Sequence, residues 1–162
     1  MDDAWFIRNV ADMRWQTVPG GGTWCVFENE GVRSPTLGIG VHVLPPGETP
    51  GMYHREDQQE GFLVLAGECL AIVEGEEHRM GPWDYFHCPP GTAHITVGAE
   101  GEQPCTILMV GTRSPDEQVE YLPEPKAARF GAAVATPTSS PREAYAGRPP
   151  FAPAPAPFPP RP

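Results

Sequence analysis

The sequence predicts an all-β, antiparallel sandwich or barrel followed by a proline-rich extension. Three observations carry this expectation. The middle of the chain breaks into short runs of β-branched and aromatic residues, none long enough for a helix. Gly/Pro clusters separate those runs at short intervals, which is the punctuation of a small all-β domain. Finally, 12 of the 22 prolines lie beyond residue 122, in a stretch that can neither donate to a ladder nor continue a helix.

From about residue 22 to 112 the runs are TWCVFE, LGIGVHVL, FLVLAG, CLAIVE, DYFHCP, AHITV and CTILMVG. PPGE, GE, GEE, GP, PPG and GAEGE lie between them as turn signals. The polar stretch YHREDQQE precedes FLVLAG and carries His54, Glu56 and Glu60. On an extended segment, residues two apart project to the same side, so these three either converge at the mouth of the strand or belong to a solvated polar loop. Downstream, DYFHC, the turn PPG and a return strand headed by His94 read as a hairpin, which brings His94 to a strand end. After Val119 the composition shifts towards polyproline II or disorder, ending in RPPFAPAPAPFPPRP. EPKAARFGAAV, near residues 124–134, predicts one short helix of about two turns. The expected organisation is therefore a barrel over residues 1–119 and an extended tail over 120–162. The tail reads either as a docking peptide for an aromatic-lined groove or as an arm. In the second case Tyr145, Phe151 and Phe158 pack on the body or on a neighbouring subunit. Proline-rich composition alone specifies no partner, which favours the arm.

The chain has 162 residues, enough for one domain and an appendage. Its formal net charge of -10 offers no basic patch for a nucleic acid or an anionic membrane surface. The N-terminus opens with two acids where a secretory signal carries positive charge, and no apolar run is long enough to span a bilayer. A cytoplasmic protein is expected. The cysteines at 25, 69, 88 and 105 form no CxxC pair, so reduced, buried thiols are expected rather than disulfides or a zinc knuckle. The sequence carries no Ser-His-Asp order, phosphate loop or dinucleotide fingerprint.

The stretches GETPGMYHREDQQEGFLVLAG and WDYFHCPPGTAHITVG resemble the two motifs of the cupins, a superfamily of double-sheet, jelly-roll-like β-barrels. Gly47, His54, Glu60 and Gly67 fall in register with the first motif, and Pro89, Gly91 and His94 with the second. The intervening CLAIVEGEEHRM has the hairpin character seen there in the family. Three positions depart from the pattern. Glu56 stands where the first motif has its second His. Trp83 stands at the leading Gly of the second motif, unless Gly81 serves with a two-residue insertion. Gly98 replaces the closing Asn. The last two read as turn-level changes that a barrel absorbs, whereas the first alters the chemistry.

The resemblance implies one divalent transition metal (Fe, Mn or Zn) inside the barrel, with His54, Glu56, Glu60 and His94 as its ligands. Two imidazoles and two carboxylates would leave such an ion formally neutral and favour harder metals. Alternatively, Glu56 stands off the metal as a catalytic acid–base group. His54, Glu60 and His94 then form a two-His-one-carboxylate triad. The implied function is a metal-dependent enzyme, oxygenase- or isomerase-like, acting on a small organic substrate. The alternative is a non-catalytic module that binds or senses a small ligand, with the metal as staple or anchor. A homodimer is the family expectation. Among the lesser residues, His87 and Cys88 have opposite pleat phases, so at most one faces the pocket. His42 reads as a hydrogen-bonded core or rim histidine, Tyr53 and Phe62 as barrel filling, and Arg55 and His78 as solvated.

Overall fold

A computed structural model describes residues 5–28 and 33–159. The acidic pair Asp2 and Asp3 and the last three residues of the tail lie outside the described residues. Each of the seven anticipated runs contains a strand: β2 (Thr23–Val26), β3 (Leu37–Leu44), β5 (Glu60–Ala66), β6 (Cys69–Val73), β8 (Tyr85–Cys88), β9 (His94–Gly98) and β10 (Cys105–Thr112). Five further strands join them: β1 (Trp15–Thr17), β4 (His54–Glu56), β7 (Glu76–Met80), β11 (Val119–Tyr121) and β12 (Ala152–Ala154). They form a seven-stranded sheet, β12-β1-β2-β3-β10-β5-β8, and a five-stranded sheet, β11-β4-β9-β6-β7. The result is an all-β, double-sheet, jelly-roll-like barrel.

Pleat alternation explains why the runs look continuously apolar. Leu44, Phe62, Val64, Cys69, Ala71, Cys105 and Ile107 pack together in one cluster, towards the barrel interior. The alternate residues Ile72, Ile95 and Val97 pack outwards against Ala127 and Ala132 of the tail. Val41 and Val43 likewise pack outwards, against Met13, Ala154 and Phe158. Strands covered on both faces carry no polar side to betray their period. All four cysteines are free and buried. No helix among the described residues is long and apolar enough to cross a membrane.

The tail is built from local caps and long-range contacts. In α1 (Pro125–Ala128), the Glu124 side chain accepts from the Lys126 N–H and proline opens the first turn. The expected two turns shorten to one because Gly131, at φ +66°, reverses the chain, and the Ala132 N–H returns to the Ala127 carbonyl at 3.1 Å. A second one-turn helix, α2 (Pro141–Ala144), is capped by Ser140. Near the C-terminus, polyproline II gives way to β12, which pairs with β1 at the sheet edge, where Pro153 can be tolerated. Phe151 meets Trp24 (ring centroids 4.9 Å apart), Phe158 meets Trp15 (5.6 Å) and Tyr145 meets Tyr121 (5.6 Å).

Trp83, at the position of a family glycine, has φ +72° and is 74% exposed. It is held there because its N–H donates to the Val64 carbonyl while the Asp84 N–H donates to Gly81. A left-handed backbone costs an L-residue roughly 1–2 kcal/mol, of which glycine forfeits part through its freer unfolded chain. Trp83→Gly is expected to stabilise the protein by about 1 kcal/mol, raising Tm by roughly 2–4 °C for a chain of this size. Thermal unfolding measures this, and a lower Tm would show that the indole contributes more than the strain removes.

Candidate metal centre

β4 and β9 pair at one position, His54 opposite His94. Directly opposed residues share a face, and the two imidazole centroids lie 5.0 Å apart. Glu60 opens β5 in the other sheet, opposite Cys88 of β8. It reaches across the interior, with Oε2 3.0 Å from His94 Nε2. One ligand atom from each of His54, Glu60 and His94 lies within 4.8 Å of the others.

The backbone decides which imidazole nitrogen is offered. His54 Nδ1 is 2.7 Å from the Met52 carbonyl, and His94 Nδ1 is 3.0 Å from the Thr92 carbonyl. A carbonyl can only accept, so each Nδ1 carries the hydrogen, and a neutral ring then presents its Nε2 lone pair to the interior. Metal-ligating histidines are oriented in this way. Cys88 Sγ lies 3.4 Å from His94 Nδ1, and the rings of Phe62 and Phe86 flank the same imidazole edge-on.

Glu60 supplies the test of fit. Its Oε2 lies 3.0 Å from His94 Nε2 and is buried with no hydrogen-bond partner among the described residues. Such an oxygen costs stability unless something else satisfies it. An octahedral shell with bonds near 2.1 Å has neighbouring ligand atoms about 3.0 Å apart, matching the observed separation. The trio therefore fits a divalent cation. Burial pulls the His94 pKa down, but Cys88 and Glu60 outweigh it and push it up to about 10. Burial and the neighbouring His94 charge lower His54.

Glu56 stands beside this group, with Oε2 3.9 Å from His54 Nε2. Burial and the nearby Glu60 push its carboxyl up to about 8. It faces an outer cleft with Gly91 and Gln118, at the rim of the site. Arg55 lines the same outer cleft, and its Nε donates to Glu120 at 2.8 Å.

The trio opens into a cavity of about 140 Å³, whose further walls include Phe62, Met109, His42, Thr96 and Tyr145. Among the described residues, no Lys or Arg lines it. Cys88 points inwards and His87 is exposed, in keeping with their opposite phases. Tyr53 is not a wall: it packs in the outer cluster and accepts from the Gly75 N–H. Tyr145 arrives from the tail, where the sequence marks it as an aromatic that could pack on the body but not as part of the site. Thr96 could have been found, because it lies two residues beyond His94 on the same strand face.

His42 differs from the hydrogen-bonded histidine expected. It stacks on Trp24 (6.1 Å), and its Nδ1 is buried without a partner. Burial lowers its pKa to about 4 from the usual 6.5. Between those values the unfolded chain takes up a proton that the folded protein refuses. His42 therefore withdraws stability as pH falls from 6.5 towards 4, by at most about 3 kcal/mol. Urea unfolding of the wild type and His42→Phe should show the wild type losing ground to the variant across that window. Parallel pH curves would mean that His42 titrates normally.

Two antiparallel sheets closing around an inward His-Glu-His trio define the class, a cupin-type barrel. Residues 40–111 match the family model described as the cupin domain, and this stretch of the chain is a cupin domain. Solved structures superpose on the chain. A sugar phosphate isomerase of the cupin superfamily from Silicibacter pomeroyi is 24% identical, with a TM-score of 0.62 over 70% of this chain and 80% of that one. The polyketide cyclase RemF from Streptomyces resistomycificus is 18% identical, with a TM-score of 0.59 over 70% and 83%. KdgF from a Halomonas species is 26% identical, with a TM-score of 0.53 over 69% and 96%. No curated protein matches the sequence.

Proposed function

We propose that this chain is a metal-dependent cupin enzyme that holds one divalent transition ion on His54, Glu60 and His94 and acts on a small oxygen-bearing substrate. One observation carries the reading: two imidazoles tethered through Nδ1 converge with a buried carboxylate oxygen that has no hydrogen-bond partner. A divalent ion there supplies Lewis acidity towards a substrate oxygen, and iron or manganese adds redox capacity. The remaining roles belong to side chains. Phe62 and Met109 keep the cavity wall apolar. Glu56, outside the trio at the rim and 3.9 Å from His54, would take a proton from the substrate and return it. A carboxyl in that position favours isomerase-like proton transfer over dioxygen chemistry.

Glu56→Gln tests the assignment. Metal content per chain is expected to stay at the wild-type level. Solvent deuterium exchange into an added hydroxyketone should fall by roughly 10²–10⁴-fold, the usual share of a general base. If the metal is lost with the substitution, Glu56 is a fourth ligand. If the metal-loaded wild type exchanges no deuterium, the non-catalytic binding module is the better reading.

A further inference from the structure

Two polar atoms in the same cavity remain unexplained by the metal trio. Thr96 is 1% exposed, and its Oγ1 is buried with no hydrogen-bond partner among the described residues. His42 Nδ1 is in the same condition. Both residues line the space that His54, Glu60 and His94 open into. Thr96 lies two residues past His94 on one face of β9, so its position is displaced by about 7 Å along the strand. Buried hydroxyls and ring nitrogens rarely go unpaired, and two that line one cavity, one from each sheet, point to a partner that enters from outside the chain.

We infer that the cavity grips a compact, uncharged, polyoxygenated molecule at two ends. Vicinal oxygens lie at the His54–Glu60–His94 centre, and a further hydroxyl bonds to Thr96 Oγ1 and His42 Nδ1. The inference deepens the proposed function and rests on its metal reading. Size limits the ligand: about 140 Å³ is well below the roughly 300 Å³ at which drug-sized pockets begin. Charge limits it as well. With Glu60 in the wall and no Lys or Arg among the described lining residues, a phosphate or second carboxylate would be desolvated with no cationic side chain to pair with. Length sets the spine. A three- or four-carbon chain with an oxygen on nearly every carbon spans the gap, whereas a simple ketone leaves the distal pair unsatisfied.

The test uses the full chain loaded with Zn²⁺, with uptake of the ion measured first by titration calorimetry. Ligand-observed NMR then compares dihydroxyacetone, hydroxyacetone (which lacks the distal hydroxyl) and dihydroxyacetone phosphate. Dihydroxyacetone is expected to bind about 3–10-fold more tightly than hydroxyacetone, the worth of one net hydrogen bond. The phosphate ester should bind more weakly than either. Thr96→Val and His42→Phe should each erase the hydroxyl preference while Zn²⁺ uptake is unchanged. If His42→Phe fails to fold, the near-isosteric Thr96→Val and the wild-type ligand series still decide the matter. Equal binding of the two ketones, as when trapped water satisfies Thr96 and His42, overturns the inference. So does a preference that survives Thr96→Val, or a phosphate ester that binds best. Zn²⁺ uptake without the hydroxyl preference sinks this inference alone, while no uptake sinks the metal reading and this inference with it.

Discussion

Replacing Glu60 with glutamine is expected to weaken divalent-ion binding by at least about 100-fold, since changing even a group behind a ligand costs 10–100-fold. Glutamine keeps the length and shape of the side chain, so the barrel should still close. What it removes is the negative charge whose Oε2 lies 3.0 Å from His94 Nε2 without a hydrogen bond of its own. In the wild type, an ion supplied at a hundred times its Kd adds about 2.7 kcal/mol of stability. For a chain of this length that is a rise in Tm of roughly 5–10 °C. Glu60→Gln at the same ion concentration should show almost none of it. Thermal unfolding of both proteins with and without Mn²⁺ or Zn²⁺ gives the answer. Equal shifts would place the ion away from residues 54, 60 and 94. No shift in the wild type would leave the trio as a polar cluster bridged by a proton.

The parts of this site that the sequence made legible are those governed by pleat and turn. A strand end and a tight hairpin offered His54 and His94 as candidates, the resemblance to the two cupin motifs brought them together, and the structure places them in direct opposition. Glu60 followed because it begins an apolar run whose alternate residues must face inwards. Glu56 could not be settled in the same way. Whether the last residue of a three-residue strand points at the site or past it depends on local twist, which no spacing encodes. The tail was opaque for a different reason. A Pro-Ala repeat has the same composition whether it is extended in water or paired, and β12 becomes a strand through β1, more than a hundred residues away. Tyr145 reaches the cavity wall through packing against Tyr121 and Met52, a contact that no local spacing encodes. His42 shows the third kind of gap, because a side chain's failure to find a partner is a property of all its neighbours at once.

Gly98→Asn, which restores the residue of the cupin pattern, is expected to destabilise this protein by about 3–5 kcal/mol, combining overpacking with lost hydrogen bonds. A turn-level change would have been harmless, but Gly98 is the last residue of β9, opposite Cys69 of β6 and buried. A Cβ there would lie 2.1 Å from the Pro45 carbonyl oxygen and 2.7 Å from that of Leu44. Both obstacles are backbone, so no rotamer change relieves them. The chain after β3 would have to retreat, and two hydrogen bonds hold it in place. The Gly98 N–H donates to Glu48 at 2.9 Å, and the Gly98 carbonyl accepts from Gly47 at 2.8 Å. The first added carbon does the damage, so Gly98→Ala should carry most of the penalty, and Asn should add little beyond it. Urea midpoints of the wild type and both variants, compared at matched m-values, distinguish this account from its rival. An asparagine that is neutral or stabilising would mean that residues 44–48 do not approach β9 as closely as this. The consequence for chemistry follows from position: Gly98 anchors the far end of the strand that carries His94 and Thr96. A variant that survives the clash by sliding β9 should therefore also lose metal affinity, although no ligand has been touched.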